Sequence, residues 1–337
     1  MTLHRVGIIG TGGIAIRHAE GYRLAGAELA AIADVNPVTL ELRQHEWSVP
    51  KGYLDYRDLL NDPDIDAVSV CTPNALHAPV TIAAAKAGKH VLCEKPASMD
   101  LQQAQAMIDA CTEAGVTLQI GHHLRSMATA VRAKEIIDSG RIGRVTYARF
   151  RQAHDWGGAT TVRPSFGLLA NSGGGTLLDN GCHLFDLARF FGGDVAEVFA
   201  RTATLKFECE VEDTAVSSLR YTSGALANVE VAWTATGWHE AFWVYGTEGS
   251  LEYDNRVSET LLLARTRESD GTTWVDVDMS TYELRGHESH LASVVNFLAA
   301  VNGTRDVVCT GHDGLEAVRL VLASYESAAK GLPVTLA

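Results

Sequence analysis

A glycine-rich turn near the start of the sequence has the residue types and the spacing of a dinucleotide phosphate site. The apolar residues 6–9 lead into the pattern G-x-G-x-x-A, which is formed by Gly10, Gly12 and Ala15. Gly10 permits a tight turn, Gly12 lets backbone N–H groups approach a pyrophosphate, and Ala15 lets the following helix pack closely on the strand. The start of that helix offers unpaired N–H groups to the phosphates. The predicted loop consists of Gly10, Thr11, Gly12, Gly13 and Ile14.

An acidic residue after the second predicted strand indicates which dinucleotide this turn would bind. The apolar residues 29–33 end in Asp34, roughly 20 residues after the glycine pattern. A carboxylate there accepts hydrogen bonds from a ribose 2′-hydroxyl and repels a 2′-phosphate. Neither Val35 nor Asn36 is a cation that could bind such a phosphate. The sequence therefore favours NAD over NADP; the alternative is a structural glycine turn followed by an unrelated acid.

Polar residues also follow the other predicted strands up to about residue 122. Strands over 65–71, 90–93 and 116–120 alternate with helices over 77–87 and 101–114, which is typical of a doubly wound parallel sheet. Ligands bind such sheets beyond the carboxyl ends of the strands. We therefore expect a group of strand-end residues to lie close together: Asp34, Thr72, Asn74, Glu94, Lys95, His122 and His123.

The second half of the chain has a different pattern. A helix is predicted over 177–191, and hairpin-like turns separate the strand-like segments that follow it. Two late helices are predicted over 288–301 and 314–329. This pattern predicts an α+β domain with a mostly antiparallel sheet, helices on one side and an open face that partner subunits often cover. We expect an α/β NAD-binding domain over residues 1–122 and a substrate-binding and oligomerisation domain over 123–337.

Composition narrows the possible functions. The 337 residues suffice for two domains, and the net charge of −13 argues against binding to nucleic acid or anionic membranes. The sequence has no apolar run of membrane-spanning length, and it enters a strand at once, which leaves no room for a signal peptide. The six cysteines form no C-x-x-C pair, so buried thiols of a reducing compartment are expected. We expect a cytoplasmic protein that acts on a small molecule.

Several motifs, in order along the whole chain, resemble those of the Gfo/Idh/MocA oxidoreductases. After the glycine pattern and Asp34 come C-T-P-N-x-x-H at 71–77, E-K-P at 94–96 and G-G-x-x-x-D-x-G-x-H-x-x-D at 174–186. The resemblance implies a Rossmann domain, an open-faced sheet domain and a homodimer or homotetramer. It also implies NAD(P)-dependent oxidation or reduction of a sugar or cyclic polyol carbon.

By this resemblance Lys95 and His183 are the expected catalytic pair. Oxidation of a secondary alcohol needs a hydride acceptor, which nicotinamide supplies, a base for the hydroxyl proton and support for the developing alkoxide. The imidazole of His183 suits the base, and the ammonium of Lys95 suits the support. Asp179 is expected to bind the substrate and orient His183, because the two stand at i and i+4. A packed helix histidine and a solvated strand-end lysine are the structural alternatives.

The resemblance also assigns cofactor contacts beyond the glycine loop. Thr72, Pro73 and Asn74 are expected to line the nicotinamide side. Glu94 is expected to reach the cofactor ribose, although in the bare sequence it could equally be a surface charge. His77 and Lys95 are counted with these cofactor residues, and helix-start packing is the alternative for His77.

Substrate contacts are expected from residues of the predicted second domain. An indole face packs against the C–H face of a pyranose, and carboxylates bind paired hydroxyl groups. Each position could also be ordinary loop structure. No metal is expected, because His122, His123, His154 and His183 lack short ligand spacing. The expected substrate residues are His123, Arg125, Asp155, Trp156, Arg163, Asp179 and His183.

Three functions remain open at this stage. The first is an NAD-dependent dehydrogenase of a pyranose, an anhydrosugar or an inositol. The second is an NAD-dependent glycoside hydrolase, in which transient oxidation of a ring hydroxyl permits elimination of the aglycone and the cofactor is recycled. The third is a non-catalytic NAD-dependent regulator, which predicts loss of Lys95 or His183; both residues are present.

Overall fold

The apolar strands of the first half of the chain form a six-stranded sheet in the computed structural model, which describes residues 4–155, 164–258, 262–277 and 288–336. The strands are β1 (Arg5–Ile9), β2 (Glu28–Ala33), β3 (Lys51–Tyr53), β4 (Ala67–Val70), β5 (His90–Cys93) and β6 (Leu118–Ile120). Their order is β3-β2-β1-β4-β5-β6, and every neighbouring pair is parallel. This is the strand order of doubly wound dinucleotide-binding folds, so the predicted parallel sheet is confirmed.

Five helices follow strands of this sheet. They are α1 (Gly13–Leu24), α2 (Pro37–Trp47), α3 (Tyr56–Leu60), α4 (His77–Lys86) and α5 (Leu101–Ala114). Side-chain caps explain where two of them begin, since Asn36 accepts a hydrogen bond from the backbone N–H of Val38 and Asp100 caps α5 in the same way. Gly115 ends α5 in the left-handed conformation.

The second half of the chain forms a nine-stranded sheet. Its strands are β7 (Val145–Asp155), β8 (Val195–Ala203), β9 (Thr214–Tyr221), β10 (Leu226–Ala232), β11 (Thr234–Gly246), β12 (Gly249–Asp254), β13 (Leu263–Arg267), β14 (Trp274–Asp276) and β15 (Val334–Thr335). The order is β14-β13-β12-β11-β7-β10-β9-β8-β15, in which only β7 and β10 pair in parallel. The predicted mostly antiparallel sheet is therefore confirmed.

The helices of this part of the chain are α6 (Ala128–Asp138), α7 (Pro164–Gly167), α8 (Leu169–Ser172) and α9 (Cys182–Gly192). Of these, α9 packs on β7 and β10, and α6 packs on α9. Along β9 the side chains alternate between buried and exposed, so the other face of that strand is open to solvent. The predicted helix over 177–191 differs from the structure at its start, where Leu177–Gly181 forms a π-helical turn before α9 begins. Such wide turns inside helices frequently lie at functional sites.

The last two helices are α10 (Glu288–Val301) and α11 (Gly311–Lys330), and α10 completes the core around the parallel sheet. Val294 and Phe297 of α10 share one buried cluster with Val6 and Ile8 of β1. A Cβ atom on Gly21 of α1 would lie 2.7 Å from the Cβ of Val294, so glycine permits the two helices to approach closely.

The chain divides into two compact units, Met1–Ser126 with His287–Val318 and Met127–Gly286 with Arg319–Ala337. The domain boundary at residue 122 stays a prediction, because this division also assigns α10 to the first unit. Within the described ranges, the helices are all too short or too polar to cross a lipid bilayer.

Candidate active site

The glycine loop has the geometry that phosphate binding requires. Gly10 has a φ of +86°, and a Cβ atom there would lie 2.6 Å from the carbonyl oxygen of Cys71. Gly12 is the N-cap of α1, and a Cβ atom on Gly12 would meet nothing within 4 Å. Open space therefore lies before the first N–H groups of α1, where a pyrophosphate would be bound. The loop fits the phosphates of a dinucleotide.

Alanine substitutions at Gly12 and at Gly10 should have different effects, one on NAD affinity and the other on stability. Gly12→Ala should fold as the wild type does, but its methyl group would occupy the phosphate space, so we expect the Kd for NAD to rise at least about tenfold. Gly10→Ala should lower the stability of the cofactor-free protein by roughly 1–3 kcal/mol, because alanine is strained at that φ. Calorimetric NAD titration and thermal unfolding measure the two effects. Wild-type NAD affinity in Gly12→Ala would contradict the assignment of the loop.

Asp34 is fixed at the carboxyl end of β2, beside the glycine loop. Its Oδ2 accepts hydrogen bonds from the backbone N–H of Thr11 at 2.8 Å and from the Thr11 hydroxyl at 2.7 Å. Its Oδ1 accepts one from the backbone N–H of Asn36 at 2.9 Å. A carboxylate held in this way suits a ribose hydroxyl.

Sequence reasoning missed a cation near this carboxylate. Arg43 of α2 donates from Nε to the carbonyl oxygen of Thr11 at 3.3 Å. Its guanidinium lies over the ring of Trp47, and it forms an ion pair with Glu46. The lack of a cation at residues 35–36 is therefore an incomplete argument for NAD over NADP, although the ion pair with Glu46 already neutralises Arg43.

Glu94 follows β5 and is buried, which contradicts its alternative as a surface charge. His18 Nε2 lies 2.9 Å from Glu94 Oε1, and the backbone N–H of Lys95 donates to Oε2 at 3.2 Å. Burial raises the pKa of Glu94, but the hydrogen bond from His18 and the charge of Lys95 outweigh it and lower the pKa to about 2. Glu94 is thus an ionised carboxylate at neutral pH, directly before Lys95.

A chain of buried hydrogen bonds holds His18 in turn. His18 Nδ1 lies 2.8 Å from the hydroxyl oxygen of Ser69, which lies 2.7 Å from the hydroxyl oxygen of Tyr22. All these groups are satisfied if Tyr22 donates to Ser69, Ser69 donates to Nδ1, and Nε2–H donates to Glu94. His18 stands three residues after Ala15, on the side of α1 that faces the sheet. That position is the only feature of the sequence that points to His18.

The segment after β5 and the loop after β4 meet at His77. The peptide bond between Lys95 and Pro96 is cis. His77 Nδ1 lies 2.7 Å from the carbonyl oxygen of Pro96, and Nε2 lies 2.9 Å from the carbonyl oxygen of Thr72. Both ring nitrogens of His77 thus face the protein backbone, and a direct contact between His77 and the cofactor stays a prediction, like those of Thr72, Pro73 and Asn74.

The residues after β6 belong to the first unit, where His122 is buried and His123 is half-buried. His123 Nδ1 lies 3.0 Å from the Ser289 hydroxyl, and the rings of His123 and His290 stack with centroids 3.5 Å apart. Burial, with the nearby charge of Lys95, lowers the pKa of His123 well below its usual value, and burial lowers the pKa of His290 to about 4. Both rings are therefore uncharged at neutral pH.

Arg125 is also buried, and it contacts the segment before α11. It donates to Asp313 Oδ1 at 3.0 Å and to the carbonyl oxygen of Val308 at 3.3 Å. These contacts tie the end of the β6 segment to the start of α11. Sugar binding by His123 and Arg125 stays a prediction.

In the second unit, Asp179 and His183 lie on consecutive helical segments. Asp179 belongs to the π-helical turn and accepts a hydrogen bond from Trp233 Nε1 at 3.3 Å. His183 stands in the first turn of α9 and is buried, as is Asp186. Asp179 is half-buried.

Glu212 anchors the start of this segment. Its Oε2 accepts a hydrogen bond from the backbone N–H of Gly175 at 3.0 Å, and its Oε1 accepts from the backbone N–H of Leu177 at 2.8 Å and the Tyr325 hydroxyl at 3.0 Å. A Cβ atom on Gly175 would lie 1.8 Å from the carbonyl oxygen of Glu212, which explains the glycine. Sequence reasoning missed Glu212, because nothing local distinguishes it.

Of the other residues of this unit that are predicted to bind substrate, the structure describes only Asp155. Asp155 accepts a hydrogen bond from Lys206 Nζ at 2.9 Å. Beside it, His154 Nε2 lies 2.9 Å from Asn180 Nδ2, and the half-exposed ring of Trp238 stacks on His154 with centroids 4.6 Å apart. Trp156 and Arg163 lie outside the described residues, so their roles stay predictions.

In the part of the chain that the structure describes, no three histidine, cysteine or carboxylate side chains form a group that could hold a metal ion. The six cysteines, all within the described ranges, are free thiols.

Comparison with known proteins matches both halves of the chain to one family. Residues 4–122 match the model of the Gfo/Idh/MocA oxidoreductase family with an NAD-binding Rossmann fold, and residues 130–252 match the model of a Gfo/Idh/MocA C-terminal domain. These matches confirm the resemblance inferred from the motifs and the predicted NAD-binding domain.

Relatives with named activities are similar over nearly the full length. A 1,5-anhydro-D-fructose reductase of Ensifer adhaerens is 34% identical, with 98% of this chain and 97% of the relative covered. A myo-inositol 2-dehydrogenase of Thermotoga maritima is 33% identical, with 96% of each covered. Among solved structures, a levoglucosan dehydrogenase in complex with NADH has a TM-score of 0.90 at 26% identity, with 100% of both chains covered. The chain belongs to the Gfo/Idh/MocA family of NAD-binding oxidoreductases, and its relatives include sugar and inositol dehydrogenases.

Proposed function

We propose that this protein oxidises a secondary hydroxyl group of a pyranose, an anhydrosugar or an inositol with NAD as the hydride acceptor. The observation that carries the proposal is Lys95 at the carboxyl end of β5, next to the buried, ionised Glu94. The relatives support the substrate class, since they act on an anhydrosugar, an inositol and levoglucosan by their names.

The residues that would hold NAD belong to the parallel sheet. The N–H groups of the first turn of α1 would bind the pyrophosphate, and Asp34 would bind the adenosine ribose. Glu94 would accept hydrogen bonds from the second ribose. When bound, the nicotinamide supplies the hydride acceptor of the reaction.

Three side chains would carry the proton and charge chemistry. Lys95 donates a hydrogen bond to the reacting oxygen and stabilises its negative charge as the C–H bond breaks. His183 accepts the hydroxyl proton. Asp179 binds a substrate hydroxyl and keeps the His183 ring oriented. In the reductive direction the same groups act in reverse.

A substrate panel tests this proposal. Purified protein is incubated with NAD and, separately, with myo-inositol, levoglucosan, D-xylose and p-nitrophenyl glucosides, while NADH absorbance and released nitrophenol are followed together. We expect NADH to accumulate in proportion to one of the free sugars or polyols. Nitrophenol release without accumulation of NADH would contradict the proposal and indicate a glycoside hydrolase, an activity that the names of the relatives do not favour.

The cofactor preference gives a further prediction. Asp34→Arg should raise the Kd for NAD at least about tenfold and lower that for NADP, because the ribose acceptor is replaced by a cation that attracts a 2′-phosphate. Asp58→Arg makes the same charge change on the exposed surface of α3 and should leave the ratio of the two Kd values unchanged. An unchanged ratio in Asp34→Arg would remove Asp34 from the cofactor site.

We also propose that the protein is a cytoplasmic homodimer or homotetramer. The open face of β9 supports an assembly, since large exposed sheet faces are commonly covered by partner subunits. The free thiols support a reducing compartment. Size-exclusion chromatography with light scattering measures the assembly.

A further inference from the structure

His77 joins the two loops that follow β4 and β5. It is the first residue of α4, and its side chain is 1% exposed. β4 and β5 are adjacent parallel strands, with Val70 opposite Cys93 at their carboxyl ends. A single buried ring thus spans the backbone of the loop after one strand and the backbone of the segment after the next.

Both contacts of the ring are with hydrogen-bond acceptors. The carbonyl oxygens of Pro96 and Thr72 lie 2.7 Å from Nδ1 and 2.9 Å from Nε2, respectively. A neutral imidazole has one N–H donor, so it satisfies one carbonyl, and only the doubly protonated ring satisfies both. Burial lowers the pKa of His77 and outweighs the two carbonyl groups and the Glu94 carboxylate, which raise it, so the ring is neutral at neutral pH. It therefore donates to one carbonyl, and the shorter contact is that of Nδ1 with Pro96.

The two carbonyl groups belong to segments with different expected tasks. Pro96 is the residue after Lys95, so a hydrogen bond to its carbonyl oxygen restrains the backbone that carries the catalytic ammonium. Thr72 begins the loop that is expected to line the nicotinamide. A histidine that only packs at a helix start would not need its two nitrogens to contact these two segments.

We propose that His77 is a positioning residue, in which Nδ1–H donates to the carbonyl oxygen of Pro96 and fixes the Lys95-Pro96 segment. The inference rests on the proposed function, because it gives His77 a role only through Lys95. Loss of the Nδ1 donor should therefore lower turnover and leave NAD affinity nearly unchanged.

Two amide substitutions separate the nitrogens. The amide nitrogen of Asn lies about where Nδ1 lies in His, and that of Gln lies about where Nε2 lies. His77→Asn therefore keeps the donor to Pro96, and His77→Gln places its donor on the Thr72 side instead. A neutral hydrogen bond contributes about 0.5–1.5 kcal/mol, or roughly two- to tenfold in an equilibrium or a rate. His77→Phe, which has no donor, is the reference.

We expect kcat to be about two- to tenfold higher in His77→Asn than in His77→Gln, while the Kd for NAD is similar in the two variants. NAD affinity is measured by calorimetry, and kcat with the panel compound that the wild type oxidises. Equal kcat values in the two variants, with both folded by circular dichroism, would overturn the proposal. A merely structural role would lower kcat and raise the Kd for NAD alike in both variants.

A measurement on the wild type covers the case in which the variants do not fold. In ¹⁵N spectra of histidine-labelled protein, the His77 Nδ1 signal should be that of a protonated nitrogen. An unprotonated Nδ1 would overturn the proposal. A wild type that oxidises no compound of the panel would contradict the proposed function alone, because the NMR result would still test the hydrogen bond of His77.

Discussion

Lys95→Met is expected to lower kcat by about 10²–10³-fold while NAD still binds. Methionine retains the apolar stem of the lysine but has no group that can donate to the alkoxide oxygen, so the transition state loses its charge stabilisation. The phosphate loop and Asp34, which would carry most of the NAD contacts, are unchanged. The Kd for NAD should therefore change less than about threefold, a difference of under 1 kcal/mol. Steady-state kinetics and calorimetric titration measure the two quantities.

A matched variant controls for loss of a positive charge. Lys86→Met makes the same replacement at the exposed end of α4 and should leave kcat and the Kd for NAD at wild-type values. Full turnover in Lys95→Met would remove Lys95 from the chemistry. Loss of NAD binding in Lys95→Met would show that the lysine serves the cofactor instead of the reacting oxygen.

His183→Ala is expected to lower kcat by about 10²–10⁴-fold, the usual contribution of a positioned acid–base group. The variant lacks the proton acceptor but retains Asp179, whose contact with Trp233 does not involve the imidazole. Substrate binding should therefore persist, and KM should change far less than kcat. Kinetics with the panel compound that the wild type oxidises measure both parameters.

Two further measurements make the His183 result decisive. His312→Ala removes an exposed histidine of α11 and should be neutral. Added imidazole should restore part of the activity of His183→Ala if the missing function is proton transfer. A wild-type kcat in His183→Ala would contradict the assignment of the base.

Local patterns predicted the parallel sheet well, because each strand and helix is determined by residues close in sequence. The strand His90–Cys93 and the helix Leu101–Ala114 have the predicted bounds. Gly88 separates the strand from the preceding helix, Asp100 caps the start of α5, and Gly115 ends α5. Thr11 and Asp34 meet as the glycine pattern implied. A turn motif and a strand-end acid fix each other because β1 and β2 are paired neighbours.

Contacts between residues distant in sequence could not be predicted in this way. His18 and Glu94 are 76 residues apart, and neither has a local pattern that identifies the other. The packing of α10 on α1 brings together Gly21 and Val294, which are far apart in sequence, so periodicity alone left α10 with the second half of the chain. Glu212 and Arg43 were missed for the same reason.

Two features escaped prediction because their sequence signals are weak. The hairpin of β13 and β14 lies at the edge of the nine-stranded sheet, where most side chains are exposed and the apolar alternation is lost. The π-helical turn Leu177–Gly181 has the apolar spacing of an ordinary helix. Wide turns of this kind depend on tertiary contacts, such as those of Glu212, that the sequence does not show locally.

Transfer of deuterium from substrate to nicotinamide tests the central claim most directly. The panel compound that the wild type oxidises is prepared with deuterium on its carbinol carbons and incubated with the protein and excess NAD, and the cofactor is analysed by mass spectrometry. We predict singly deuterated NADH in an amount equal to the oxidised product. Unlabelled NADH, or labelled cofactor that never accumulates while a glycosidic bond is cleaved, would contradict the account.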